Sequence, residues 1–522
     1  ANVERGLFAA LAALFFIGST FVYHWLPLFR IDLIGLAFAV GGLFCVWKWE
    51  RESISQGARA SRIANHLVIA GFLFLCALYA KHSLLFAPAA AAVAIWLRDR
   101  RAAVYWSLSL GLAGGLIFGA LDLLTGGGFY FGIVTSNATV WLWDIFLSLT
   151  REFAVTYVVL ILLAAWGWLE RVRDGKIGVL EIYAVTALGS VLLAGRVGAW
   201  QNYFFEPIVA VCIFAGLAAA RLWQRRPEAR WWLPVAFLLQ LGLFWDQHDP
   251  AIAQRLMEEV RMGNEMAAPI VKNAQGTVIA EDMGLLVTNG KPVDYYTFQY
   301  SSLARAGLWD QHWEVDNLRA GRFPVVVLNR GTREDVDHFR NFTREFMSAL
   351  DYGYALAIED ARYHIYRPSP LDHFGPVDFG GQLELVGWAL NRNPVHPGER
   401  LTLPVVWRAE RKLDANYTAF LHLERANGGV VAQDDHAPRV GLYPDPQPYP
   451  TTRWAANEMV RDTFSLTLPS DLAPGTYSLR VGWYEPESDD RLSIKGADDS
   501  FELGKVEIGA AVTDPDCPCA AH

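Results

Sequence analysis

At 522 residues the chain is too long for one ordinary domain, and 53% hydrophobic residues with a net charge of −9 describe a mixture of regions. No extended Lys/Arg block is present, which argues against a nucleic-acid partner. The averages hide a division near Trp245: apolar runs split by short charged loops come before it, and strands, Gly/Pro turns and dense charge follow it.

The apolar runs fall at 6–22, 31–47, 66–80, 84–97, 102–120, 145–169, 177–195, 207–222 and 231–244. Such runs in succession, with no polar face, predict a polytopic α-helical membrane bundle of about nine spans rather than a soluble helical core. Several fall short of the roughly 20 residues that fill a hydrocarbon core, which predicts broken or tilted helices around a buried site. The opening Ala1-Asn2-Val3-Glu4-Arg5 has no initiator Met and no cleavage signature, so the expectation is that residues once preceded Ala1.

Basic residues set the expected orientation. Lys48, Arg51, Arg59 and Arg62 lie in one loop, followed by Arg98, Arg100 and Arg101, then Arg171, Arg173 and Lys176, then Arg221, Arg225, Arg226 and Arg230. These loops alternate with loops poor in Lys and Arg, so the positive-inside rule assigns them to the cytoplasm. The expected location is a bacterial cell membrane, with the multi-pass region at 1–247 and the large C-terminal region outside the cytoplasm. Membrane lipid is then an obligatory partner.

The remainder divides again. Residues 248–368 alternate strand and helix, with strands at 277–280, 324–328, 354–358 and 363–366 and an amphipathic helix at 334–350, which predicts a small α/β domain. A Pro-rich joint at 368–376 leads to strands alone, at 382–388, 400–407, 418–424, 459–466 and 477–484. These predict a C-terminal β-sandwich over 369–510, ending in a flexible tail, 511–522. Trp388, Trp407, Trp454 and Trp483 fit either a sugar-stacking surface or a core, and Asp434, Asp435 and His436 either a metal set or a polar turn. Cys45, Cys76 and Cys212 sit in apolar runs as small core residues, while Cys517 and Cys519 stand in the tail.

Charges at membrane depth are costly and call for a functional hypothesis first. Four clusters fall at one expected boundary of the bundle: His24, Trp25, Arg30 and Asp32; Lys81, His82 and Ser83; Tyr130 and Asn137; and Arg196, Gln201, Asn202, Tyr203 and Glu206. Together they supply cations for a phosphate, carboxylates for a base or a metal, and aromatic rings for a sugar face. Taken singly, Arg30 with Asp32 also fits an interfacial ion pair, and Lys81 a side chain snorkelling to headgroups.

At these residues the sequence resembles a known family. Tyr23-His24-Trp25-Leu26-Pro27-Leu28-Phe29-Arg30-Ile31-Asp32 resembles the W-x-P-L-x-R-x-D stretch of bacterial GT-C-type glycosyltransferases, relatives of the dolichyl-phosphate-mannose protein mannosyltransferases. Lys81-His82-Ser83 is similar to their K-Q-S element with His for Gln, and Arg196 to Glu206 to their G-K-x-G-x-x-x-N-Y-F-L-E element with Arg for Lys. The resemblance covers roughly residues 1–370 and implies transfer of a sugar from a polyprenyl-phosphate donor to an extracytoplasmic acceptor. It implies that Arg30, Lys81 and Arg196 neutralise the lipid phosphate. His24, Trp25, His82, Tyr130, Asn137, Gln201, Asn202 and Tyr203 would line the sugar or acceptor site, and Asp32 and Glu206 stand as candidate catalytic carboxylates. The acidic motif that supplies the base or binds metal in that family has no counterpart before residue 23. No cofactor is therefore certain, and a divalent metal, Mg or Mn, is the one the resemblance admits. A second function class stays open beside the first: a non-catalytic membrane subunit that anchors soluble domains in a larger envelope or energy-transducing complex, with other membrane subunits as partners.

Overall fold

The computed structural model of the chain describes residues 2–28, 30–54, 60–245, 250–334, 341–390, 394–440, 447–494 and 498–510. Arg59 and the Cys517 and Cys519 tail lie outside the described residues. The chain divides into two compact units, Ala1–Gln254 and Arg255–His522.

The first unit is helical: α1 (Asn2–Ile17), α2 (Thr20–Tyr23), α3 (Ile31–Ile54), α4 (Ala60–Ala80), α5 (Phe86–Arg98), α6 (Arg100–Leu124), α7 (Gly128–Ile133), α8 (Trp143–Thr156), α9 (Val158–Arg173), α10 (Val179–Ala187), α11 (Phe205–Arg225) and α12 (Ala229–Trp245). α10 runs on as a 3₁₀ segment, Leu188–Gly195, and a second one, Gln201–Phe204, leads into α11. Large apolar side chains face outward along it, among them Val68, Phe72, Leu108, Leu112, Leu116 and Leu238, as expected where the surrounding solvent is lipid.

Each apolar run of the sequence is helical, yet few helices are long enough to cross alone. Among the described residues, Ile31–Ser53, Arg100–Leu124 and Gln201–Arg225 have the length and apolarity of a span. Counting the broken pair Trp143–Thr156 and Val158–Arg173 as one crossing makes four, against the nine expected. The others stop early for local reasons. Asp99 ends α5 and caps α6, accepting hydrogen bonds from the amides of Arg101 at 2.9 Å and Ala102 at 3.0 Å, so two runs become two helices at a sharp junction. At 1.5 Å per residue the apolar stretch Asn65–Ala80 reaches only about 24 Å, short of a hydrocarbon core of about 30 Å.

The break between α8 and α9 bends the chain by 80° at Tyr157. In an apolar medium each backbone group freed by such a bend costs several kcal/mol unless it is paired, roughly as much as a lost buried hydrogen bond. Gln240 of α12, fully buried, supplies the pairing: its amide donates to the Thr156 carbonyl at 2.6 Å and accepts from the Leu160 amide at 3.2 Å. Tight helix pairs are set by glycine. A Cβ on Gly42 of α3 would meet the Phe74 ring of α4 at 2.6 Å, and one on Gly167 of α9 would meet the Phe214 carbonyl of α11 at 2.8 Å.

The basic loops gather at one end of this bundle. Glu50, near the end of α3, accepts from the Val179 amide at the start of α10 at 3.0 Å and lies 3.8 Å from Arg98 at the end of α5. Arg171 near the end of α9 pairs with Glu181 of α10, and Arg221 near the end of α11 reaches Asp174 at 2.9 Å. The four basic loops of the sequence are thus linked in turn: Arg98 and the start of α10 share Glu50, and Arg221 reaches Asp174 in the loop before α10. The starts of α3 and α11 and the end of α4 lie at the other ends of these helices.

α13 (Pro250–Asn273) leads into the second unit. There follow β1 (Ile279–Ala280), α14 (Met283–Thr288), α15 (Thr297–Arg305), α16 (His312–Arg319), β2 (Val326–Asn329), α17 (Arg330–Glu334), α18 (Arg344–Gly353), β3 (Tyr354–Glu359) and β4 (Tyr363–Pro368). The sheet order is β1-β2-β4-β3, with β1 parallel to β2 through Ile279 opposite Val326 and the other pairs antiparallel. Of the helix expected at 334–350, residues 335–340 lie outside the described residues; α18 begins at Arg344, where the Thr343 hydroxyl accepts from the Phe346 amide at 3.2 Å and caps it.

The chain continues as β5 (His373–Phe379), β6 (Leu383–Trp388), β7 (Arg400–Ala409), β8 (Thr418–Glu424), β9 (Val430–His436), β10 (Arg439–Val440), β11 (Gln447–Pro448), β12 (Met459–Thr467), β13 (Gly475–Tyr484) and β14 (Phe501–Ile508). Two four-stranded antiparallel sheets, β12-β7-β6-β5 and β14-β13-β8-β9, enclose one core. Trp407, Trp454 and Trp483 are fully buried there and Trp388 nearly so, so these rings are core and form no sugar-stacking surface. Asp434, Asp435 and His436 lie on strand β9 rather than in a turn. The expected Pro-rich joint is shorter than its composition suggests, because β5 begins at His373. Arg461 of β12 ties the sandwich to the α/β part, donating to the carbonyls of Asp351 at 2.9 Å, Tyr352 at 3.0 Å and Ser369 at 2.7 Å.

Candidate functional site

Three helix ends of the first unit converge on a cavity of about 810 Å³. The start of α3 contributes Arg30 and Asp32, the end of α4 contributes Lys81 and His82, and the 3₁₀ turn before α11 contributes Asn202 and Tyr203. Asn137, from the segment between α7 and α8, completes the polar wall.

Within that wall the charges are organised around Asp32. Its Oδ1 accepts hydrogen bonds from Lys81 Nζ and from Asn202 Nδ2, the latter at 2.7 Å. Both members of the ion pair are largely shielded, with side-chain exposures of 6% for Asp32 and 12% for Lys81. Lys81 Nζ also stands 4.9 Å from the Tyr203 ring centroid, a cation–π contact that holds the ammonium at the cavity wall. The Arg30 guanidinium carbon stands over the Trp25 ring, 4.6 Å from its centroid, and Trp25 in turn packs edge-on against Phe205 at 6.1 Å. Two cations against one carboxylate leave this wall with a formal surplus of positive charge, a setting for an anion.

The other expected residues take separate places. Arg196 donates to the Asn137 carbonyl at 3.5 Å and so braces the wall from behind. Asn137 spends its own amide on the carbonyls of Gly132 at 3.1 Å and Ile133 at 3.0 Å. Glu206 is outside the cavity wall: one carboxylate oxygen accepts from the Ala87 amide in the first turn of α5 at 3.1 Å, and the other has no hydrogen-bond partner among the described residues. Gln201 is likewise outside it, donating to Glu152 at 2.8 Å. Tyr130 is about half exposed and its ring stands edge-on to Phe118 at 6.5 Å, while the exposed His24 ring lies beside Tyr23 at 5.7 Å; neither lines the cavity.

The rest of the cavity is apolar, and sequence reasoning did not find it. Leu75, Leu78 and Tyr79 of α4 face Trp106, Leu110 and Phe118 of α6, with Phe129 and Ile133 of α7 beyond them. Gly111, Gly114 and Gly115 on α6 carry no side chain into the space. The two aromatic residues with polar tips turn those tips to backbone, Tyr79 to the Gly114 carbonyl at 2.6 Å and Trp106 to the Leu67 carbonyl at 2.9 Å, which leaves their ring faces as wall. A cationic, amide-bearing end joined to an apolar furrow suits an anionic head with a hydrocarbon tail. Among the described residues no group of three or more His, Cys, Asp or Glu side chains is arranged to hold a metal ion.

No family model and no curated protein matches the chain. Among solved structures, the C-terminal domain of Wzt aligns at a TM-score of 0.19 and 10% identity, covering 26% of this chain and 77% of that one. A β-glucosidase from Listeria innocua in complex with glucose aligns at a TM-score of 0.15 and 17% identity, covering 26% of this chain and 16% of that one.

Proposed function

We propose that the helical unit is a GT-C-type membrane glycosyltransferase that takes a polyprenyl-phosphate sugar into this cavity and passes the sugar to an extracytoplasmic acceptor. The observation that carries this reading is the junction of Arg30, Lys81, Asn202 and Tyr203 with an apolar furrow in one space of about 810 Å³. Arg30 and Lys81 would meet the phosphate, whose negative charge grows as the glycosidic bond to it breaks. Asn202, Tyr203 and His82 would face the sugar, and the α4–α6 furrow would take the first isoprene units. Asp32 is the one carboxylate lining the cavity among the described residues, which makes it the candidate base. In this reading the bundle sits in a bacterial cell membrane with the cavity end and the second unit outside, following the distribution of basic loops.

A second reading has its own support. Asp32 is engaged by Lys81 and Asn202, and Glu206 caps the α5 backbone, so each candidate carboxylate already has a structural partner. That arrangement favours a non-catalytic membrane subunit that keeps the lipid site or only the scaffold. The full chain, reconstituted with a radiolabelled polyprenyl-phosphate hexose and a crude envelope acceptor fraction, tests the choice. Transfer abolished by Asp32→Ala supports the enzyme; donor binding without transfer supports the non-catalytic subunit.

A further inference from the structure

We infer that the Lys81–Asp32 pair is a latch. The carboxylate occupies Lys81 while no anion is present, and an incoming phosphate takes Lys81 over, leaving Asp32 to Asn202. This rests on the reading of the cavity as a site for a lipid-linked phosphate.

Several observations converge on an exchange rather than a permanent clamp. Asp32 and Lys81 lie on different helices, at the start of α3 and just past the end of α4, and they meet at the wall of an open cavity rather than within packed side chains. Among the described residues both hydrogen bonds of Asp32 fall on Oδ1, which leaves Oδ2 without one. If Lys81 leaves, Asn202 still donates to Asp32 at 2.7 Å, so the carboxylate keeps one hydrogen bond. Lys81 for its part stays against the Tyr203 ring, within 4.9 Å of its centroid, and needs only a new counter-anion in the adjoining space. A shielded ammonium cannot give up one anion without gaining another, because an unpaired buried charge costs several kcal/mol. Ligand arrival and release of Asp32 are therefore coupled. The same coupling makes Asp32 an internal competitor that raises the threshold for every anion reaching the cavity, ordinary phospholipid headgroups included.

A double-mutant cycle reads this directly. The full chain is placed in phosphatidylcholine nanodiscs, and binding of undecaprenyl phosphate is titrated for the wild type, Asp32→Asn, Lys81→Gln and the double variant. The latch predicts that Asp32→Asn tightens binding by about tenfold, and that the gain vanishes to within about twofold when Lys81 is already Gln. Equal tightening in both backgrounds would mean that Asp32 merely repels the phosphate, which overturns the latch and leaves the site standing. Unchanged or weaker binding by a folded Asp32→Asn protein also overturns it. If neither wild type nor Asp32→Asn binds the lipid phosphate, the functional reading falls along with the latch. Asp32→Ser, with the same expectation, replaces Asp32→Asn should that variant fail to insert.

Discussion

Two parts of the molecule hold a cation against carboxylates, and they serve different ends. In the helical unit Lys81 meets Asp32 at the wall of an 810 Å³ cavity. In the sandwich His436 of β9 lies between Asp434, at 3.0 Å, and Asp462 of β12, also at 3.0 Å, with the His436 and Asp462 side chains 8% and 1% exposed. The Asp434 carboxylate also accepts from the Ser465 amide at 2.7 Å, so the cluster joins the two sheets across one edge. The chemistry of the two clusters is alike; the cavity beside Lys81 and the burial of Asp462 between the sheets separate them. A charge pair beside empty space can exchange a partner, whereas one sealed between sheets can only be kept or lost.

The sealed cluster gives the largest expected effects. Asp462→Ala removes the more buried partner of His436, and truncating one member of a buried ion pair costs about 3–5 kcal/mol, so denaturant unfolding of the full chain should show the sandwich transition shifted by that amount. Retained stability would place the cluster with ordinary surface pairs. Asp32→Asn should leave that transition where it is, which sharpens the contrast.

The same cluster fixes a pH dependence. Burial alone would push the His436 imidazole down, but hydrogen bonds to Asp434 and Asp462 and the charges of both carboxylates outweigh it and raise it to about 9. A histidine pKa raised on folding stabilises fully below its unfolded value near 6.5, and the contribution disappears as pH climbs through about 9. Unfolding of the sandwich monitored from pH 6 to pH 10 should lose roughly 3 kcal/mol, and His436→Gln should flatten that slope. A wild-type profile with no alkaline loss would show that the imidazole is not held protonated.

A smaller effect is expected where a neutral group repairs the backbone. Gln240→Leu leaves the Thr156 carbonyl and the Leu160 amide without their partner at the α8–α9 bend, at a cost of about 1–3 kcal/mol. Thermal unfolding in detergent should fall accordingly, whereas Leu238→Ala, on an outward-facing side chain, should change it less.

Asp32, Lys81, Asn202 and Tyr203 were legible in the sequence because polar groups beside apolar runs stand out and each needs a partner. Tyr79, Trp106 and Phe118 were not, since an apolar residue within an apolar run looks the same whether it faces lipid, a neighbouring helix or a cavity. Glu206 shows the converse: nothing local in the sequence tells that the Ala87 amide, 119 residues away, is bonded to it. The strands of the sandwich followed their two-residue alternation, visible in β12 and β13. Pairing such as Ile279 with Val326 depends on contacts that no local pattern encodes. The span count went astray because hydropathy averages across Tyr157, where the backbone turns, and because runs such as 66–80 are helical but too short to cross.

The measurement closest to the central claim is lipid-phosphate binding by the intact protein. Native mass spectrometry of the full chain released from nanodiscs carrying undecaprenyl phosphate should show one lipid phosphate retained. Lys81→Gln should weaken that binding by roughly 1.5–3 kcal/mol, the worth of a charge-assisted hydrogen bond, while the protein still inserts and folds. Equal retention by wild type and Lys81→Gln, or none by the wild type, would contradict the assignment of the cavity to a lipid-linked phosphate.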